Sequence, residues 1–191
     1  MTYLPRKSSR PNAGFSLLEI VIALAVIAMI VGVVAVRSGG VMNKGKATRV
    51  IQLVDTLKKG SAQYHTDTNQ IPWEHMGGTA TNRKLSGTQT VAGWQGPYIE
   101  SPLTSGMHPA AGTLHMYNTS VVNGNTGFDT DSDGNLDVTD NCCTLWLDNM
   151  TQGDAQAIDN AFDKGLSGNW YDGGRVKWNS TTRQCWVLVY W

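Results

Sequence analysis

Residues 14–37 read GFSLLEIVIALAVIAMIVGVVAVR, and between Glu19 and Arg37 there is no further charge. The run Phe15 to Val36 holds 22 residues. At 1.5 Å per residue it makes a helix of about 33 Å, enough to cross a hydrocarbon core roughly 30 Å thick. Glu19 is its one carboxylate. An acid near the bilayer core costs about 2.5–3.5 kcal/mol on insertion scales, so such a group is read as functional by default. Ahead of the run, Met1 to Gly14 carries Arg6, Lys7 and Arg10 and no acid. By the positive-inside rule this leader stays in the cytoplasm, while everything C-terminal to the apolar run is expected outside it.

A secretory signal peptide would place its cleavage site after the apolar stretch, near Ala35-Val36-Arg37-Ser38-Gly39. The stretch is too long for such a signal, and Glu19 falls where one is most apolar. Gly14-Phe15-Ser16-Leu17-Leu18-Glu19 instead resembles the cleavage and methylation motif of type IV prepilins and of the pseudopilins of type II secretion systems. The resemblance implies that prepilin peptidase cuts between Gly14 and Phe15, that Phe15 becomes an N-methylated terminus, and that the apolar helix is kept. It also implies a role for Glu19. One turn from the new terminus, it can pair with the α-ammonium of a neighbouring subunit, neutralising two charges inside a helical bundle and setting the subunit stagger.

Past Gly39-Gly40, which are expected to loosen the helix, Ala47, Val50, Ile51, Val54 and Leu57 recur at three- and four-residue steps, with Lys44, Lys46, Arg49, Asp55 and Lys58 around the other face. This periodicity predicts a helix from about Asn43 to Gln63. The expected organisation is a leader at 1–14, a long N-terminal helix at 15–63 whose first part, 15–36, is the membrane span and filament core, and an extracytoplasmic head at 64–191. The fold class is then α+β and pilin-like, with the second half of the long helix packed on an antiparallel sheet. Tyr64, Asp67, Asn69 and Ile71-Pro72, and the Gly-Pro-Tyr turn within Gly93-Trp94-Gln95-Gly96-Pro97-Tyr98-Ile99, resemble the stretches that follow this helix in major pseudopilins.

The head carries a second chemical feature, Asp129-Thr130-Asp131-Ser132-Asp133-Gly134-Asn135-Leu136-Asp137-Val138-Thr139-Asp140. Carboxylates occupy loop positions 1, 3, 5, 9 and 12, with Gly at 6, the ligand order of an EF-hand loop. Five acids in twelve residues repel one another unless a hard cation gathers them, so Ca2+ is the expected structural ion. Asp129, Asp131, Asp133 and Asp140 would serve as ligands, Asn135 through its carbonyl and Asp137 through a water. Asp140 is a methylene shorter than the usual Glu. The turn-forming stretch Asn123 to Gly127 leaves no entering helix, so this is an EF-hand-like loop rather than an EF-hand domain.

Cys142, Cys143 and Cys185 all lie in the exported head, where oxidation is permitted. One bridge is expected, from Cys185 to Cys142 or Cys143. No CxxC spacing points to zinc. Further along, Cys143 to Leu147 reads as a strand. Asp154 is expected to cap a short helix with Ile158, Ala161 and Phe162 on one face, and Arg175–Trp178 and Gln184–Tyr190 read as a hairpin about Asn179 to Thr182.

The chain is formally neutral, and without the leader it has twelve bases against fifteen acids, so nucleic acid is not an expected ligand. Residues 37 to 84 are rich in Lys and Arg, and 129 to 191 in Asp, an asymmetry suited to contacts between subunits. His65, His75, His108 and His115 are scattered through loop-like sequence, and no nucleophile stands in a catalytic setting, so no enzymatic activity is expected. The expected function is a structural subunit of a type II secretion pseudopilus or a type IV pilus, in a homo- or hetero-polymer built from the inner membrane with a platform protein and an assembly ATPase. The alternative is a membrane-tethered, calcium-dependent binding or adhesion module. Five of the seven tryptophans fall between Trp146 and Trp191. A sheet packed on a helix absorbs aromatics without any ligand.

Overall fold

The structure, a computed structural model, describes residues 17–191 apart from 123, 124, 165 and 167; of residues 32–44, 125 and 126 it describes the backbone alone. The leader at 1–14, with Gly14 and Phe15, therefore lies outside the described residues. Contacts divide the chain into two compact units, residues 1–40 and 41–191.

Helix α1, Leu17–Thr68, supplies the described part of the first unit and enters the second. In the first unit, every side chain described, 17 to 31, is exposed, and apart from Glu19 all are apolar. Among the described residues no helix is long and apolar enough to cross a membrane. The expected span at 15–36 is represented there by the side chains of 17–31 alone, short of the roughly 20 residues a crossing requires. The backbone is helical through Gly39-Gly40, where loosening was expected.

In the second unit α1 runs past the expected end at Gln63 to Thr68, because its buried face continues through Ser61 and Tyr64. Ala47, Val50, Val54, Leu57, Ser61 and Tyr64 form one buried stripe. Asn69, at φ 54°, ends the helix, and its N–H donates to the His65 carbonyl at 2.8 Å. Asparagine tolerates this left-handed cap better than most residues.

The buried stripe packs on an antiparallel sheet of five strands in the order β1-β2-β5-β7-β6. The strands are β1 (Glu74–His75), β2 (Leu114–Tyr117), β5 (Cys143–Leu147), β6 (Val176–Asn179) and β7 (Gln184–Tyr190). Alternation decides which face each residue joins. Leu114, Met116, Cys143, Leu145, Leu147, Cys185, Val187 and Val189 point into the core shared with α1. Helix α2, Gln152–Phe162, closes one end of that core with Ala155 and Ile158. Thr151, not Asp154, caps it: the Thr151 Oγ1 accepts from the Asp154 N–H at 3.2 Å. Asp154 lies on the buried face instead, where the Lys46 ammonium meets both its oxygens at 3.0 Å, and Ala161 is exposed. The carboxylate thus ties α2 to α1.

The opposite sheet face has a smaller core of its own. Trp186 and Leu188 are covered by Val122, Phe128, Val138 and Cys142, contributed by the segment that leaves β2, pairs as β3 (Val121–Val122) with β4 (Asn125–Thr126), and returns to β5. The Gly-Pro-Tyr turn docks on the end of α1. There the Tyr98 hydroxyl donates to Asp67 at 3.0 Å and the Tyr98 ring meets Tyr64 edge to face at 5.6 Å. Gly93, at φ 83°, passes so close to α1 that a Cβ would lie 2.0 Å from the Asp67 carbonyl oxygen.

Candidate functional site

Two chemical features were expected, an acid at the start of an apolar helix and an acidic loop in the head. Glu19 lies in the first turn of α1. Its neighbours along the helix, Leu17, Leu18, Ile20, Val21 and Ile22, range from 48 to 82 % exposed. An apolar surface of this kind on a single helix calls for lipid or other helices to cover it.

The acidic loop is closed at its neck. Phe128 and Val138 form an isolated antiparallel bridge, with Phe128 N donating to the Val138 carbonyl at 2.8 Å and Val138 N to the Phe128 carbonyl at 3.1 Å. Both side chains are buried in the smaller core. The main chain of Asp129 is held as well, since its carbonyl accepts from the Gly174 N–H at 2.8 Å. Within the closed loop, one oxygen each of Asp129, Asp131 and Asp137 lies within 4.8 Å of the other two. The turn comes from Ser132 and Gly134, at φ 62° and 93°. Asp129 accepts from the amides of Asp133 and Gly134 at 3.2 and 2.9 Å, and Asp131 accepts from Asp133 at 3.1 Å, which aims these carboxylates inward.

Asp137 is oriented by Thr130, whose N–H and hydroxyl donate to it at 2.7 and 2.6 Å. Those bonds hold its carboxyl below the usual aspartate range. Asp133 is turned to the Asn135 amide at 2.7 Å, and Asn135 itself is exposed. Asp140 lies two residues beyond the neck, past Thr139, whose carbonyl accepts the Ser120 hydroxyl. The bridge therefore divides the twelve-residue motif. Positions 1, 3 and 9 come together inside it, and position 12 follows it in the strand-side connection. The two bridge residues, Phe128 just before position 1 and Val138 just after position 9, are apolar, a feature that the EF-hand spacing does not take into account.

The expected disulfide is not formed. Cys142, Cys143 and Cys185 are free and buried. Strand register explains it: Cys143 pairs with Tyr190 at one end of the β5–β7 ladder, and Cys185 pairs with Leu147 at the other. Four residues of strand separate them by about 13 Å, well beyond the reach of a bridge. Cys142 points to the other sheet face, into the smaller core. Cys143 Sγ donates to the Pro72 carbonyl at 3.4 Å, and burial pushes its thiol up to about 12.

The histidines are more ordered than their sequence surroundings suggested. His65 is on α1, with Nδ1 2.8 Å from the Tyr190 hydroxyl. His108 is buried and accepts at Nδ1 from the amides of Ala110 and Gly112. His75 and His115 are cross-strand neighbours on the outer sheet face. There His115 stacks on Trp146 at 5.5 Å and Tyr117 joins the group. Burial, and for His115 the charge of His75, lowers the pKa of both imidazoles.

Residues 9–35 match the prokaryotic N-terminal methylation motif. The chain carries the signature of type IV pilins and pseudopilins. That motif implies processing by prepilin peptidase and polymerisation, and it points to a membrane-anchored structural subunit rather than an enzyme. No curated protein and no solved structure matches the chain. The pilin-type signature thus rests on the N-terminal segment, and the α+β head with its antiparallel sheet agrees with a pilin-like fold.

Proposed function

We propose that this chain is a structural subunit of a type II secretion pseudopilus or a type IV pilus. It waits in the inner membrane as a single-pass protein with its head in the periplasm, loses residues 1–14 to prepilin peptidase, and is drawn into a filament by a platform protein and an assembly ATPase. The match at residues 9–35 carries this reading, and the proposed cleavage position Gly14-Phe15 and the proposed assembly residue Glu19 fall within the matched stretch. The exposed apolar side chains of 17–31 support it: lipid covers them before assembly and sister helices afterwards.

Ca2+ is the ion proposed for the head. The donor set is hard and anionic, and Asp129, Asp131 and Asp137 already converge, each carboxylate oriented by hydrogen bonds from within the loop. A bound ion would screen the repulsion among them and fix the connection between β2 and β5, a structural contribution to the head.

Gly14→Val tests the processing step. Intact mass of the membrane-extracted protein is expected to be that of the methylated chain beginning at Phe15 for the wild type, and to retain the leader in the variant. Identical processing of both would overturn the proposal. Immunogold microscopy with an antibody to residues 64–191 separates the two kinds of filament. Labelled surface fibres on intact cells assign a pilus, whereas label that appears only after the outer membrane is permeabilised favours a pseudopilus or a subunit held in the inner membrane.

A further inference from the structure

The head holds a cleft of about 600 Å3 beside the C-terminal end of α1, within the roughly 300–1,000 Å3 usual for small-ligand sites. Four carboxamides line it, Asn69, Gln70, Asn118 and Asn141. They come from three separate places in the chain: the cap of α1, the end of β2, and the residue after the acidic loop. Asn69 and Asn141 are both at positive φ, 54° and 51°, so the backbone itself fixes where their side chains start. Among the described residues, none of the four side-chain amides has a hydrogen-bond partner in the protein. Each offers a donor and an acceptor side by side to whatever enters.

The remaining lining is Ile71, Trp73 and His65. Lys84 Nζ lies 4.7 Å from the Trp73 ring centroid, so one indole face is taken and the other face or the edge is what Trp73 gives the cleft. The Tyr190 hydroxyl occupies Nδ1 of His65, which leaves Nε2 as its second polar atom. No Asp, Glu, Lys or Arg is among the described lining residues.

We propose that this cleft binds a neutral saccharide. An anionic ligand would call for Arg or Lys, a cation for carboxylates, and a purely apolar ligand would leave four amides unpaired at a cost. Adjacent hydroxyls on a pyranose match the paired donor and acceptor of a carboxamide, and the C–H face of the ring matches the indole. The chemistry differs from that of the acidic loop, and the proposal does not depend on the chain polymerising.

The test uses the full chain in a zwitterionic detergent that contains no sugar. Saturation-transfer NMR is run against a panel of neutral mono- and disaccharides of glucose, galactose, mannose and N-acetylglucosamine, with sialic acid as the anionic comparison, and hits are titrated for Kd. At least one neutral saccharide is expected to bind and sialic acid to bind more weakly. Trp73→Ala and Asn118→Ala are each expected to weaken the hit about tenfold, with Trp146→Ala on the outer sheet face unchanged. Thermal unfolding checks that each variant folds, and Gln70→Ala, at an exposed position, replaces Trp73→Ala if that variant does not. Absence of any saturable saccharide, affinity that survives the cleft substitutions, loss through Trp146→Ala alone, or tighter binding of sialic acid would each overturn the proposal.

Discussion

Asp159 is a carboxylate on the buried face of α2, 7 % exposed, and burial followed by repulsion from Asp163 pushes it up to about 6. Its neighbour Asp163 is compensated: one oxygen accepts from the amides of Arg175 and Val176 at 2.8 and 2.9 Å. Among the described residues Asp159 has no such donor. The folded chain holds the Asp159 proton more tightly than the unfolded chain does, so its contribution is fully present below the unfolded value of 3.8 and is lost as pH rises through about 6. Asp159→Asn keeps the shape and removes the charge. It is expected to raise the head's melting temperature at pH 7.5, by roughly 1–2 kcal/mol of stability, and to leave it little changed at pH 3.5. Melting curves of both proteins across pH 3.5 to 7.5 check this, and a variant less stable than the wild type at pH 7.5 would contradict the assignment.

The same scale decides the cysteines. Their number and exported position suggested a bridge, but which face each thiol joins depends on register, and the opposite ends of one ladder are not visible in spacing alone. Iodoacetamide at pH 8 under non-reducing conditions is expected to leave the folded protein unmodified and to add three carbamidomethyl groups once it is unfolded. The buried thiols are poor nucleophiles, with Cys143 at about 12. Intact mass reads the count, and a single modified thiol after unfolding would restore the bridge.

At the scale of elements, strongly periodic segments were legible and their surroundings less so. Strand β5, Cys143–Leu147, has the bounds the sequence suggested, and the β6–β7 hairpin agrees within a residue. Both alternate cleanly between a core face and an outer face. The end of α1 was placed short because Ser61 and Tyr64 continue the buried stripe with polar atoms, which a hydrophobicity count passes over. The aromatic group on the outer face was not legible: His75 reaches Trp146 only through β2, a neighbour relation fixed by the sheet order.

The acidic loop was legible as carboxylates at EF-hand spacing, three of which the fold brings together, but its division by the Phe128–Val138 bridge was not, since an EF-hand template carries position 12 along with the rest. If the closed loop is the binding unit, Ca2+ at a hundredfold excess over its Kd stabilises the head by about 2.7 kcal/mol, and chelation removes that gain. Asp137→Ala is expected to abolish the calcium-dependent rise in melting temperature, and Asp140→Ala to keep most of it. Equal loss in both would return Asp140 to the ligand set and place the site across the bridge.

For the whole molecule, the division into two units separates folding from assembly. The head has two cores of its own, one between α1 and the inner sheet face and one beneath the β3–β4 segment, and among the described side chains neither contains one before Ala47. The first unit has the opposite character, with apolar side chains from Leu17 to Val31 exposed and a carboxylate in the first turn. Its burial must come from lipid or from other copies, and a carboxylate carried into that surroundings is stabilised chiefly by an opposite charge. In the proposed filament the nearest such charge would be the ammonium that cleavage after Gly14 would create on an adjacent subunit. Glu19→Val deletes that pairing and makes the helix more apolar, so membrane retention should hold or strengthen. The head's unfolding transition is expected to match the wild type, because no core residue is touched, while filaments labelled for residues 64–191 disappear. If the Glu19→Val chain assembled normally, helix packing alone would be guiding polymerisation and the charge pairing would have no part in it. If the head's transition fell together with assembly, the two units would be coupled, and loss of filaments would no longer report on the charge.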